Sequence, residues 1–287
     1  MAEMRKKTLV CGGGGVWGVA WLSGIVAGLA EAGLDVRNAD SFIGTSAGSV
    51  TSAQLAKGMP PALMFERQSD PAKQPRELIA PPDGLATLMK LMERSWPDDR
   101  TRLRTICDLA HATVTVPLAE RRAAIEDRLG LPDPGWPEGK ELLLAAIDTE
   151  SLTLKAFAAT DNVSVVDAVT ASCAIPAVWP VMPINSRFYV DGGLWKTFDN
   201  IQLASGSATV LVLSPMGLTN ADPGVLDDLD ELRRQGTEVV LIAPDDTSNA
   251  TLAMGPLDPA TRKPAADAGR LQGIRELTEK PALRGLF

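Results

Sequence analysis

Gly44-Thr45-Ser46-Ala47-Gly48 matches G-x-S-x-G, the spacing that sets a serine hydroxyl on a sharp strand-to-helix turn. Glycines on both sides let neighbouring backbone pass without Cβ clashes. The hydroxyl then stands at the mouth of a sheet, above a helix N-terminus that favours developing negative charge. The short pattern also fits a βα turn with an incidental serine. Its context favours the nucleophile, since Ser41-Phe42-Ile43 reads as a strand and Ser49 to Lys57 as a helix ending at Gly58.

A serine nucleophile needs a base and a place for an oxyanion. Gly13-Gly14-Gly15-Val16-Trp17-Gly18 follows a strand and precedes a helix, and it has two readings. As G-x-G-x-x-G it is a dinucleotide fingerprint, which wants an acid ending the next strand. Asp35 and Asp40 precede that strand, and its end is occupied by Gly44 and the Ser46 turn. As an oxyanion hole, consecutive glycines aim N–H groups at one point. Asp191-Gly192-Gly193 ends a short strand, Phe188-Tyr189-Val190, and places a carboxylate where loops of an α/β sheet build active sites. Asp-Gly is also ordinary turn chemistry, so its weight comes from the need of Ser46 for a base.

The chain contains a single histidine, His111, and three cysteines, Cys11, Cys107 and Cys173. Ser-Asp-His triads on α/β scaffolds carry the histidine late. His111 comes early, in a polar stretch without an acidic strand-end partner, and reads as a solvated or packed residue. Three scattered cysteines make neither a zinc cage nor a disulfide framework, and Cys173 reads as a buried thiol. No metal or cofactor is expected.

The elements that must position these residues alternate as in a parallel α/β sheet. Thr8–Cys11 is a strand; Val19, Leu22, Val26 and Leu29 fall at helical spacing, with Gly33 as a C-cap. Leu142–Ile147 and Leu152–Ala158 read as strands joined by a turn, Val165–Ser172 as a helix, and Ala208–Leu213 and Glu238–Ile242 as strands around a helix near Val225–Arg234. The tail reads as loop plus one helix near Ala265–Leu277. The expected architecture is a single α/β domain over residues 1–287, a three-layer α/β/α with a mainly parallel central sheet. Residues 60–140, rich in proline and charge with amphipathic patches at Leu85–Met92 and Leu118–Leu129, form a helical cap or insertion within it. Residues 216–287 form a C-terminal βα extension.

In 287 residues, 28 Lys+Arg oppose 36 Asp+Glu, a net charge of −8, with 45% apolar residues. That balance argues against a broad nucleic-acid surface. The basic Met1–Lys7 start runs into four glycines rather than an apolar signal core, and no apolar run is long enough for a membrane helix. The expectation is a cytoplasmic protein, with a transient, apolar membrane-surface contact left open.

Gly13–Gly18, Gly44–Gly48, Ala171-Ser172-Cys173-Ala174-Ile175-Pro176 and Asp191-Gly192-Gly193 occur in the order seen in patatin-like phospholipases, which the chain resembles from about Thr8 to Leu213. The resemblance implies a patatin-like fold and a lipid acyl hydrolase acting on carboxylic esters through a Ser–Asp dyad without histidine. Carried over, Ser46 is the nucleophile and Asp191 the base. Gly13, Gly14 and Gly15 supply the oxyanion-hole N–H groups, and Gly44 and Gly48 support the elbow. The expected partner is a lipid or small ester substrate. Two departures stand out: Trp17 where the family carries Arg or Lys, and a bulky Trp195-Lys196-Thr197-Phe198 after Asp191. They keep a second reading open, a catalytically weak homologue that binds lipid or a protein; the nucleotide-binding use of Gly12–Gly18 is the third. A carboxylate base works near neutrality only if burial raises its pKa, so Asp191 is expected partly buried. Trp17, Trp21, Trp179 and Trp195 are candidates for an acyl site, with packed core the better reading for most.

Overall fold

The structure, a computed structural model, describes residues 6–133, 135–216 and 223–287. Most of the basic start, and residues 217–222 of the expected 216–287 extension, lie outside the described residues. In chain order the elements are β1 (Lys7–Cys11), α1 (Gly15–Glu31), β2 (Ser41–Thr45), α2 (Ala47–Ala56), α3 (Pro61–Ser69), α4 (Pro82–Met92), α5 (Asp99–Ala112), α6 (Leu118–Leu129), β3 (Glu141–Asp148), β4 (Thr153–Phe157), α7 (Val165–Ser172), β5 (Met182–Ile184), β6 (Arg187–Asp191), β7 (Thr209–Leu213), α8 (Pro223–Arg234), β8 (Glu238–Ile242), α9 (Asp246–Ala250) and α10 (Arg262–Glu279).

The sheet runs β5-β6-β3-β2-β1-β7-β8, with β4 also paired to β3. Strands β3, β2, β1, β7 and β8 are mutually parallel. Leu9, Val10 and Cys11 are fully buried, as a central parallel strand covered on both faces requires. The mixed, mostly parallel sheet flanked by helices is the expected α/β class.

Helix α1 is buried almost all round because α10, α3 and α2 pack around it. Close approach is set by glycine. A Cβ on Gly24 would lie 2.1 Å from the Ala266 carbonyl oxygen, and one on Gly28 would lie 2.1 Å from that of Arg270. The contact is reciprocal, with Gly269 against the Trp21 carbonyl at 2.5 Å. Trp17 and Trp21 stack with centroids 6.2 Å apart, and their indole N–H groups donate to Thr251 and Gln272. Both belong to the core.

Residues 60–140 hold four helices, α3 to α6. Two of them, α3 and α5, lie in stretches where proline and charge obscured the periodicity. Trp195 sits at the end of α5, where the Arg102 guanidinium donates to its carbonyl and to that of Leu194. No helix among the described residues is long and apolar enough to cross a membrane.

Candidate active site

Ser46 is the single residue between β2 and α2, with φ 53° and ψ −117°, a backbone that L-residues rarely adopt. Its surroundings hold it there. The Ser46 N–H donates to Ser172 Oγ at 2.9 Å, and its carbonyl accepts from the Ser49 N–H, the Ser49 hydroxyl and the Cys173 thiol. The flanking glycines are obligatory. A Cβ on Gly48 would stand 1.8 Å from the Cys11 carbonyl oxygen, and one on Gly44 would stand 2.5 Å from Ser49 Cα.

Asp191 arrives by a different route from the one its sequence context suggests. Its strand, β6, runs antiparallel to β3, so the parallel-sheet rule does not place it. Thr45, the last residue of β2, pairs with Ala145, and β3 overruns that level by three residues to Asp148. β6 returns along this overhang, pairing Tyr189 with Asp148 and Asp191 with Ala146. The carboxylate is thereby delivered one residue beyond the end of the serine's strand. Gly192 then passes so close to β3 that a Cβ would meet the Ala145 carbonyl at 2.5 Å.

Asp191 is 4% exposed. Its Oδ1 accepts the Gly193 N–H at 2.8 Å, and its Oδ2 is buried with no hydrogen-bond partner among the described residues. Burial pushes the pKa up from 3.8 to about 6. The Ser46 hydroxyl, the Gly193 N–H and the charge of Arg121 pull the other way. Asn200 ties the two halves of the site together: its amide donates to Thr45 Oγ1 at 3.1 Å and to the Gly192 carbonyl at 3.0 Å.

The glycine loop lies beside both. The position of a Cβ on Gly13 is 3.6 Å from Ser46 Cβ, but the Gly13 N–H donates to the Phe198 carbonyl at 2.9 Å. Gly15 begins α1 with φ 64°, against the carbonyl of Pro256. The Trp17 N–H also donates to that carbonyl, so the segment before α10 fixes the loop.

Two recesses meet at Ser46. One is an apolar cavity of about 280 Å³ between the glycines and α4, where Leu85, Leu88 and Met89 face Asp191 and Leu194. The other is lined by Gly15, Ser46, Cys173 and Trp179 together with Arg121, Arg128 and Glu77. Of the four tryptophans named as acyl-site candidates, Trp179 alone borders either recess. His111 is elsewhere, exposed on α5 with Nε2 3.0 Å from Thr149 Oγ1 and its ring edge-on to Phe188. Burial pushes up the pKa of the Cys173 thiol, which is inert packing beneath the elbow.

Sequence reasoning did not single out Ser172 as the elbow's anchor, Asn200 or Arg121. Ser172 and Asn200 act across 126 and 155 residues, and no local pattern announces that. Arg121 had a signal. With Ala124, Ile125, Arg128 and Leu129 it forms the buried face of α6, so a helical-period reading places two arginines on an inward stripe.

A family model described as Patatin-like phospholipase matches residues 9–203, well over half of the chain. The chain belongs to that family, and so to the hydrolases that act on ester bonds. Among solved structures it is similar to VipD from Legionella pneumophila (14% identity, TM-score 0.49, covering 96% of this chain and 67% of that one). It is also similar to the type III effector protein ExoU (17% identity, TM-score 0.44, covering 96% and 53%). A third match is ExoU in complex with SpcU from Pseudomonas aeruginosa (21% identity, TM-score 0.42, covering 96% and 53%). The chain thus spans about two thirds of VipD and about half of ExoU. No curated protein matches it.

Proposed function

We propose that the protein is a lipid acyl hydrolase in which Ser46 attacks the ester carbonyl and Asp191 is the sole general base. The observation that carries this reading is the state of Asp191: buried, raised toward neutrality, and with Oδ2 uncommitted beside a serine held in a strained turn. Asp191 takes the Ser46 proton as the Ser46 oxygen bonds to the acyl carbon. Gly14 and Gly15 present their N–H groups to the resulting oxyanion, while Gly13 fixes the loop through Phe198. Collapse expels the alcohol, which takes the proton back from Asp191. Water then attacks the acyl-serine, giving its proton to the same carboxylate, and the serine leaves reprotonated.

The apolar cavity beside α4 takes the acyl chain. Ile79, Met89 and Met254 stand 85%, 48% and 50% exposed, with Ile79 and Met254 rimming an adjoining groove and Met89 lining the cavity. This apolar rim suits shallow contact with a lipid surface. The domain reading accompanies this: residues 60–140 act as a cap that supplies the acyl wall, and the C-terminal extension closes over the glycine loop.

The test is labelling by a fluorophosphonate probe and hydrolysis of short and long p-nitrophenyl esters. The parent is expected to be labelled and active, and Ser46→Ala neither. Labelling that survives Ser46→Ala, or an unreactive parent, would falsify the reading.

A further inference from the structure

The apolar cavity beside Ser46 is too small for a long acyl chain. A dry cavity of about 150 Å³ holds a benzene ring, so one of about 280 Å³ has room for about ten carbons. A longer chain has to leave it, and two spaces adjoin. Past Met92 and Phe198 lies a recess that presents Asp99, Arg102 and Lys196, where an alkyl chain would strip water from charged groups. Past Leu85, Pro256 and Leu257, which line both spaces, lies an open groove of about 610 Å³ between residues 79–82 and 254–259. Pro81, Pro82, Pro256 and Pro259 are among its walls, and proline has no N–H to offer a peptide backbone. Among the described residues no aromatic ring lines the groove, as recognition of a proline-rich segment would require. The carboxylate of Asp258, the one charged residue of that lining, accepts the Ala260 N–H at 2.8 Å.

The wall from Met254 to Pro259 lies beyond residues 9–203, which carry the family match. It is fixed to the reacting centre. The Trp17 N–H donates to the Pro256 carbonyl at 3.0 Å, and a Cβ on Gly15 would stand 2.7 Å from Leu257 Cδ2. Leu257 also borders the recess beside Ser46, so its side chain sits where cavity, groove and serine meet.

We propose that this groove is the distal half of the acyl site, a subsite for the methyl end of a long-chain acyl group, and that Leu257 determines how far the chain reaches. The first carbons lie beside α4. The rest pass Leu85 and Leu257 into the groove, where the chain covers the exposed Ile79 and Met254. The subsite depends on Ser46 as the nucleophile, as read above.

The test compares kcat/KM of the full chain for p-nitrophenyl octanoate, which the cavity alone can hold, and p-nitrophenyl palmitate, in the same nonionic detergent micelles. The parent is expected to turn over palmitate within about fivefold of octanoate. Leu257→Trp narrows the junction and should lower the palmitate-to-octanoate ratio about 10-fold or more. Ile79→Asp, at a position 85% exposed and so dispensable for folding, should lower it about threefold or more. A parent outside its range on the low side overturns the proposal and needs no variant. An unmoved ratio in Ile79→Asp overturns the groove. That includes the case in which both esters fall in step, the mark of a face that only docks on micelles. An unmoved ratio in a folded Leu257→Trp overturns Leu257 as the determinant. Failure of the Ser46 reading would show separately, as octanoate turnover by Ser46→Ala.

Discussion

Helices α2 and α4 border the same cleft and are built on opposite terms. Every residue of α2 from Ala47 to Ala56 is buried, whereas Leu88 alone is buried in α4. The β2–α2 turn that carries the serine is held by backbone contacts at van der Waals limits, and it tolerates no added atom at Gly44 or Gly48. The helix opposite leaves Leu85 and Met89 partly uncovered, as the proposed acyl site requires. Groups that make and break bonds need sub-ångström placement; groups that meet a lipid chain need only apolar area and room.

The contrast is broken most severely at Gly48. Replacement by Ala is expected to cost more than about 4 kcal/mol, because backbone rather than a flexible side chain stands in the way. Soluble yield and urea unfolding read this out, and a variant within 1 kcal/mol of the parent would show the elbow to be softer than its geometry. Next is Asp191→Asn, expected to lower kcat by about 10³-fold while the fold persists. Full activity in that variant would sink the dyad.

The same residue sharpens the comparison through pH. Since the folded pKa of Asp191 is raised to about 6, its proton is bound more tightly in the native state. Its contribution to stability is therefore present below pH 3.8 and lost as pH rises toward 6. Asp191→Asn should accordingly gain on the order of 3 kcal/mol over the parent at pH 8, and little at pH 4. The parent's kcat/KM should fall below pH 6, and an acidic limb near pH 4 would count against a buried base. The smallest effect belongs to α4. Met89→Ala is expected to cost under about 0.5 kcal/mol of stability, yet to raise KM for long-chain esters several-fold more than for short ones. Equal changes for both chain lengths would remove α4 from the acyl site.

The same division governs what the sequence reveals. The β2-Ser46-α2 turn is legible because its causes are local: glycines two residues either side of a serine, an apolar run before and a helical run after. Asp191 was found by residue type but for an incomplete reason, since its strand is antiparallel and reaches the site along the overhang of β3. That overhang is a matter of register between distant strands, which no window of sequence encodes. The positioning hydrogen bonds of Ser172 and Asn200 are hidden for the same cause. The helices α3 and α5 escaped because charged and polar residues crowd the stripe they bury, which in α5 is Leu103, Ile106, Cys107 and Ala110.

The glycine-to-glycine clasp between α1 and α10 has a consequence for timing. The loop that faces the serine lies between β1 and α1. The backbone that seats it, from Thr251 through α10, is synthesised more than two hundred residues later. A contact that distant in sequence forms late, after the entropy of closing the intervening chain has been overcome. Seating of the glycine loop is therefore expected to follow the docking of α10.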